Sequence, residues 1–342
     1  MKLDVANMRY LGPDDWRVLT ATEMGSRNHL VVPTPLIAHL AALRSGHVAT
    51  HIAHLAKAGL IARVQNAKYD GYRLTYGGLD YLALHTHTKA AAVYAVGNQI
   101  GVGKESDIFV CAADSGRQLV LKMHRLGRIS FRTVKANRDY LRNRHARSWM
   151  YMSRLAALKE FECMKALRRE GFPVPEPVAQ NRHTLVMGLV DAFPMRQLSK
   201  LADPAPLYAE LLAQIVRLAQ HGLIHGDFNE FNILVDERQD PDDDASLALI
   251  PTMIDFPQML SIDHANAEYY FDRDVACIKR FFHRRFGFTS HEPGPFFHDA
   301  IKTITKRLDV QVQASGFSKK MAKELEVYMK EHGVDGDATD AD

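Results

Sequence analysis

Two short stretches constrain this chain more than any others: His225-Gly226-Asp227-Phe228-Asn229-Glu230-Phe231-Asn232 and Met253-Ile254-Asp255-Phe256. An aspartate precedes an asparagine by five residues, and a second aspartate ends an apolar run. Phosphoryl transfer uses such a set. One carboxylate orients the attacking oxygen, while an amide and another carboxylate hold the metal that neutralises charge on the transferred phosphate. The chain must fold back for these side chains to meet. Ile233-Leu234-Val235 and Thr252-Met253-Ile254 read as a hairpin across the acidic turn Asp240-Pro241-Asp242-Asp243-Asp244, which would deliver Asp255 beside Asn232.

A nucleotide needs further groups, and candidates lie upstream. Ile100-Gly101-Val102-Gly103-Lys104-Glu105-Ser106-Asp107-Ile108 reads as strand, glycine-rich turn and strand. Glycines let backbone amides approach a triphosphate, and Ile100 and Ile108 could sandwich an adenine ring. A lone Gly-x-Gly is also what a plain hairpin carries. The following apolar strand, Gln118-Leu119-Val120-Leu121-Lys122, ends in a lysine placed to bridge the α- and β-phosphates. Leu155, Leu158, Phe161, Met164 and Leu167 mark the core face of a helix that would bring a carboxylate to Lys122. Glu160 is the expected partner and Glu162 its rival. Phe172-Pro173-Val174-Pro175 breaks that helix. A strand over 183–187 then leads into a linker, where the backbone from Met187 through Gly188 to Val190 can bond the adenine edge and Asp191 lies near the ribose. Leu207 to His221 is an amphipathic helix feeding the first motif. Asp274, where a later helix is expected to open, is either a cap or a partner of the catalytic-loop backbone.

The N-terminal part has a different organisation. Gly12-Pro13-Asp14-Asp15 starts a helix, with proline setting the turn and acids complementing the helix N-terminus. Two short amphipathic helices follow on either side of the break Ser45-Gly46. Alternating residues over 60–64 and 72–75 then flank Lys68-Tyr69-Asp70-Gly71 as a hairpin. A helix from Gly77 closes the unit. This is a winged-helix pattern, with His47, Thr50, His51 and His54 on the recognition helix and Arg63, Lys68 and Arg73 around the wing. Nucleic-acid binding and protein docking are both uses of such a unit.

The net charge of +3 hides segregation: Arg125 to Arg147 holds eight cations against the single acid Asp139, whereas the chain end is acidic. A basic stripe concentrates a field that attracts phosphate backbones, and Phe131, Tyr140 and Trp149 could add stacking. The same stretch also reads as a solvated loop. No apolar run approaches the ~20 residues of a membrane span, and Met1-Lys2-Leu3-Asp4-Val5 lacks the parts of a signal peptide. A place in the cytosol or nucleus is expected. Cys111, Cys163 and Cys277 are few and far apart, so we read them as reduced thiols rather than a disulfide or zinc framework.

The order of glycine-rich loop, strand lysine, helix glutamate, linker, His-x-Asp-x-x-x-x-Asn and Asp-Phe resembles the protein-kinase fold from about residue 95 to 285. Gly226 stands where ordinary kinases have arginine, Ser106 replaces a third loop glycine, Pro257 follows Asp255-Phe256, and no Ala-Pro-Glu segment follows. With Gly101 to Asp107, His225 to Asn232 and Ile254-Asp255-Phe256-Pro257-Gln258, these departures resemble the RIO family of atypical kinases. The winged helix resembles its RIO kinase 2 branch, although Gly188 replaces the usual glutamate. The resemblance implies an α+β fold: a winged helix-turn-helix over 1–92, a kinase N-lobe over 93–188 with a flexible basic loop at 124–147, a C-lobe over 189–315, and a C-terminal helix and acidic tail over 316–342.

By the same resemblance, Lys122, Asp227 and Asp255 are catalytic, Asn232 and Asp255 bind Mg2+, and Gly101, Val102, Gly103, Lys104, Ser106, Ile108, Lys122, Glu160, Met187, Gly188, Val190 and Asp191 bind ATP. It implies a Ser/Thr kinase and ATPase acting in late maturation of the small (40S) ribosomal subunit precursor, in the cytoplasm with shuttling through the nucleus left open. Its partners would be the 18S rRNA precursor and ribosomal proteins, reached through the winged helix and basic loop, with no membrane. An aspartyl-phosphate on Asp255 would drive release. Alternatives are a conventional protein kinase with a separate substrate, a small-molecule phosphotransferase, and an RNA-binding scaffold without turnover.

Overall fold

Helix α1 (Pro13–Ser26) begins where proline and two acids predict it. The Asp15 carboxylate accepts from Gly12 N–H at 2.9 Å, closing the first turn. The computed structural model describes residues 3, 5–64, 70–126, 142–240 and 243–331. Helices α2 (Thr34–Ala41) and α3 (Ser45–Lys57) follow, separated by a left-handed residue, Ala42, at φ 51°. Ser45-Gly46, expected as the break, instead opens α3, because the turn is made one residue triplet earlier. Strands β1 (Val32–Pro33), β2 (Ile61–Arg63) and β3 (Gly71–Leu74) form a small antiparallel sheet in the order β1-β3-β2. The expected wing tip at Lys68 lies outside the described residues. Thr75 caps helix α4 (Tyr76–Lys89) by accepting from Gly78 N–H at 3.1 Å. Val18, Leu19, Ile37, Val48, Ile52, Leu55, Ile61 and Leu79 close the core of this winged helix, as the sequence periodicity requires.

Strands β4 (Ala95–Val102), β5 (Ser106–Ala112) and β6 (Gln118–His124) form an antiparallel meander. It belongs to one compact unit together with the winged helix: residues 1–154 and 181–186 make the first unit, and 155–180 with 187–342 make the second.

In the second unit, the long helix α5 (Arg142–Arg169) contributes its part from Leu155 onward. Helix α6 (Ala205–Gln220) buries Leu207, Leu211, Ile215 and Leu218 at helical spacing. The hairpin of strands Ile233–Asp240 and Asp243–Met253 pairs Ile233 with Met253. Helix α7 runs over Ala267–Phe286, so Asp272 and Asp274 sit inside it rather than at its start. Short α8 (Phe297–Ala300), α9 (Leu308–Ala314) and α10 (Lys319–Glu331) complete the unit. The expected acidic tail and most of the basic loop lie outside the described residues. No described helix is long and apolar enough to cross a membrane.

Candidate active site

The second unit assembles the Asp227 side of the site from consecutive residues. Asn232 donates from Nδ2 to both the Asp227 backbone oxygen (2.9 Å) and its Oδ2 (2.8 Å). Asn229 Nδ2 holds the other carboxylate oxygen, Oδ1, at 2.9 Å. Asp227 is therefore fixed by two amides that are themselves tied into the turn: Phe231 N–H donates to Asn229 Oδ1 at 3.0 Å, and Asn232 N–H donates to Asn229 O at 3.0 Å. Ile254 N–H donates to Asn232 O at 3.0 Å, which places Asp255 next to Asn232 in the expected hairpin arrangement. With its Nδ2 engaged by Asp227, Asn232 has Oδ1 left to offer a cation. A hard amide oxygen and the Asp255 carboxylate suit Mg2+, which commonly takes only one or two protein ligands and completes its shell with water and phosphate oxygens. Accordingly, no cluster of three or more His, Cys, Asp or Glu side chains suited to a metal occurs among the described residues.

His225 supports this turn rather than reacting. It is 1% exposed, accepts from Asp227 N–H through Nδ1 (3.3 Å) and donates through Nε2 to Ile254 O (3.2 Å), so one ring joins both motifs. Phe228 and Phe256 pack against it with centroids at 5.5 and 5.6 Å. Gly226 sits at φ +79°, and a Cβ there would lie 2.9 Å from the Gln258 carbonyl oxygen. Both the backbone conformation and the space demand glycine, which accounts for its replacing the arginine of ordinary kinases. Asp255 also adopts a left-handed φ, 70°, without being glycine, an uncommon state that concentrates at functional sites.

Sequence reasoning left Asp274 between two roles, and the structure assigns the second. Its two oxygens accept from Gly226 N–H (2.8 Å) and Phe228 N–H (2.9 Å), the residues on either side of Asp227. Burial pushes its carboxyl up to about 7, against those two donors and Arg273. Arg273 itself donates to Gly226 O. No N-terminal spacing signal could have revealed this, since the helix starts seven residues earlier, at Ala267.

The nucleotide-side residues divide between the units. In the first, the glycine-rich turn closes through Gly103 N–H to Ser106 O at 2.8 Å. Gly101 and Val102 pair with Ile108 and Asp107, and Lys104 is exposed on the turn. Lys122 is opposite Ile108 in the β5–β6 register and is 4% exposed. Ile100 is 56% and Val102 70% exposed, an apolar lip on an open hairpin. In the second unit Glu160 is 1% exposed, whereas both oxygens of Glu162 accept from Lys165 Nζ at 3.0 Å. Met187 and Gly188 are buried at the end of the strand Thr184–Gly188, and Gly188 N–H donates to Glu176 O at 2.8 Å, so that donor is already engaged. Ala192 N–H donates to Val190 O at 3.0 Å, turning the chain, and Asp191 is exposed.

This geometry has close counterparts. The RIO domain family matches residues 107–293, and the family described as Rio2, N-terminal, matches residues 8–90. The chain belongs to the RIO kinase family, in its Rio2 branch. It is 52% identical over 332 residues to the serine/threonine-protein kinase rio2 of Schizosaccharomyces pombe, covering 97% of this chain and 93% of that one. Identity to the serine/threonine-protein kinase RIO2 of Saccharomyces cerevisiae is 48%, over 94% of this chain and 78% of that one. A crystal structure of the Rio2 kinase ADP/Mg2+ phosphoaspartate complex from Chaetomium thermophilum superposes with a TM-score of 0.91 at 65% identity, covering 98% of this chain and all of that one.

The winged helix and basic segment depart from the simplest nucleic-acid reading. His51 and His54 of α3 both bond Asp15 of α1, at 2.8 and 3.1 Å; His51 is half-buried, while His54 stays exposed beside His47, Thr50 and Lys57. Arg125, counted with the basic stripe, is only 7% exposed. Arg128, Arg132, Phe131 and Tyr140 lie outside the described residues, as does the side chain of Trp149. The three cysteines are free; Cys111 and Cys163 are buried, and burial raises their thiols to about 11 and about 12. Both stay protonated and unreactive at neutral pH.

Proposed function

We propose that this chain is a Mg-ATP-driven switch in late cytoplasmic maturation of the small (40S) ribosomal subunit precursor, releasing its particle through an aspartyl-phosphate on Asp255. As a RIO kinase the chain is an ATP-dependent phosphotransferase, with ATP and Mg2+ as its cofactors. The observation that carries the mechanism is the set Asp227, Asn232 and Asp255, tied by side-chain and backbone hydrogen bonds within one turn and one hairpin. When bound, Mg2+ would screen the phosphate charge from Asn232 and Asp255. An Asp255 carboxylate oxygen forms a bond to the γ-phosphorus while the bond to ADP breaks and the electron pair leaves on ADP. Water then attacks the phosphorus. Asp227, held by Asn229 and Asn232, accepts its proton, and phosphate departs, regenerating Asp255. The relative from Chaetomium thermophilum, with its ADP, Mg2+ and phosphoaspartate, supports this reading.

A conventional protein kinase with a separate substrate is the second reading. Only residues 256–266 separate Asp255 from α7, and they include the short strand Leu260–Ser261, paired with Leu223–Ile224. That leaves little chain for a peptide-docking activation segment. For the precursor particle, the RIO resemblance and the winged-helix fold are the support, with its RNA and ribosomal proteins as the proposed partners.

The test is brief incubation with γ-labelled ATP, quench, and hydroxylamine treatment of the denatured chain. Hydroxylamine-sensitive label mapping to Asp255 and missing from Asp255→Asn is expected. Turnover with label only on serine or threonine would favour the conventional kinase, and no turnover at all would favour a scaffold. Sedimentation with precursor 40S particles, weakened by Arg128→Ala with Arg132→Ala and flattened in its salt dependence, tests the partner.

A further inference from the structure

Arg125 follows the last residue of β6 and reaches in three directions within the first unit. Its backbone N–H donates to Glu105 O at 2.5 Å, in the glycine-rich turn. Its side-chain Nε donates to Asp107 Oδ2 at 3.2 Å, on the strand leaving that turn. Its two terminal nitrogens donate to the two oxygens of Asp80 at 2.7 and 2.8 Å, a parallel fork on helix α4 of the winged helix. Asp107 Oδ1 also accepts from Gln99 Nε2 at 3.1 Å, so both strands of the hairpin are held. Asp80 Oδ1 accepts in addition from His183 Nε2 at 2.8 Å. Asp80, Asp107, Arg125 and His183 are all below 9% exposed.

We propose that Arg125 is a positioning residue for the glycine-rich turn, anchored by Asp80, through which the winged helix sets the affinity of the kinase for nucleotide. The physical case rests on where the chain is free to move. A glycine-rich turn with exposed Val102, Gly103 and Lys104 has little packing to fix it. Beyond the strand ladder and its own Gly103–Ser106 closure, the turn is held at the Glu105 carbonyl and the Asp107 carboxylate, and Arg125 bonds both. Arg125 in turn can hold its rotamer only if its fork is met, and the winged helix meets it. Burial alone would raise the Asp80 carboxyl; the Arg125 guanidinium, with help from His183, outweighs that and holds it below its usual range. A buried pair of this kind contributes little net stability compared with apolar packing but fixes geometry strongly. A second link between winged helix and sheet, Arg182, donates to Glu23 (two bonds at 2.7 Å), Leu82 O, Thr86 Oγ1 and Asn181 Oδ1. The two links therefore allow a positioning role to be separated from plain attachment.

The inference rests on the turn being the phosphate loop, so the experiment measures nucleotide binding directly. A fluorescent ADP analogue with Mg2+ is titrated into the full chain and into Asp80→Asn, Asp107→Asn, Arg125→Lys and Arg182→Gln, with melting temperature, KM for ATP and kcat recorded for each folded variant. Asp80→Asn, Asp107→Asn and Arg125→Lys should each weaken analogue binding and raise KM about tenfold, with kcat changed less than threefold and faster amide exchange over residues 101–105. Arg182→Gln should lower the melting temperature and leave binding and KM within twofold. Unchanged binding in Asp80→Asn and Asp107→Asn, or an equal loss in Arg182→Gln, would overturn the proposal and leave the network as attachment only. Failure of the unaltered chain to bind the analogue would instead refute the loop assignment.

Discussion

The Asp227 turn in the second unit and the ionic junction in the first are both polar networks, the first half-buried and the second buried throughout, and they are built in opposite ways. The turn draws Asp227, Asn229 and Asn232 from six consecutive positions, and each hydrogen bond among them spans five residues or fewer. The junction joins Asp80, Asp107, Arg125 and His183 across separations of 18 to 103 residues. A local network is specified by spacing and can form once its backbone turns. A distant one exists only when the whole unit is folded, so it is conditional on everything around it.

The largest expected effect tests the local network. Asp227→Ala removes the carboxylate held by both amides and should lower the ATP hydrolysis rate by about 10²–10³ while nucleotide binding persists. Single-turnover kinetics checks it, and normal turnover would show that this turn is not the reactive centre. Next comes Gly226→Ala. At φ +79°, with a Cβ 2.9 Å from the Gln258 carbonyl oxygen, alanine must displace backbone. About 1–3 kcal/mol of stability should be lost, and activity should fall further than the melting temperature implies, because Asp227 is the next residue. A variant with native activity would mean the turn tolerates the shift, and the contrast with the junction would weaken.

That contrast also governs how much could be read from the chain beforehand. The winged helix, the meander carrying Lys122 on its last strand, the 233–253 hairpin and the approach of Asp255 to Asn232 all follow from periodicity and short-range spacing. Asp274 was visible only as a candidate. Its partners, Gly226 and Phe228, lie 48 and 46 residues away, and sequence shows an aspartate without showing what it faces. Arg125 was misassigned for the same reason. It begins a run of exposed-looking cations, yet two carboxylates from other elements turn it inward. Asp15 likewise claims His51 and His54, which as isolated residues looked free to meet nucleic acid.

The smallest effect separates the two networks by pH. Burial lowers the His87 imidazole to about 4, and its Nε2 donates to Thr184 Oγ1 at 2.8 Å, the hydroxyl proton being committed to Asn181 O. An unfolded histidine titrates near 6.5, so between pH 6.5 and 4 the unfolded state binds the extra proton and stability falls as the solution is acidified. At pH 5.5 the loss should be about 1 kcal/mol. His183, also held down by burial, acts in the same direction. Asp274 acts in the opposite one: with its carboxyl raised to about 7, the folded state holds a proton that the unfolded state releases above about 4, so acidification from 7 to 4 favours the second unit. Amide exchange followed from pH 7 to 5 should therefore show protection falling in α4 and rising around residues 226–228. His87→Gln keeps a donor for Thr184 without a titrating ring and should reduce the α4 response to the part His183 contributes while leaving the other intact. A uniform response of both regions would mean that the chain opens as one cooperative body, and the two networks would then have to be treated as a single element.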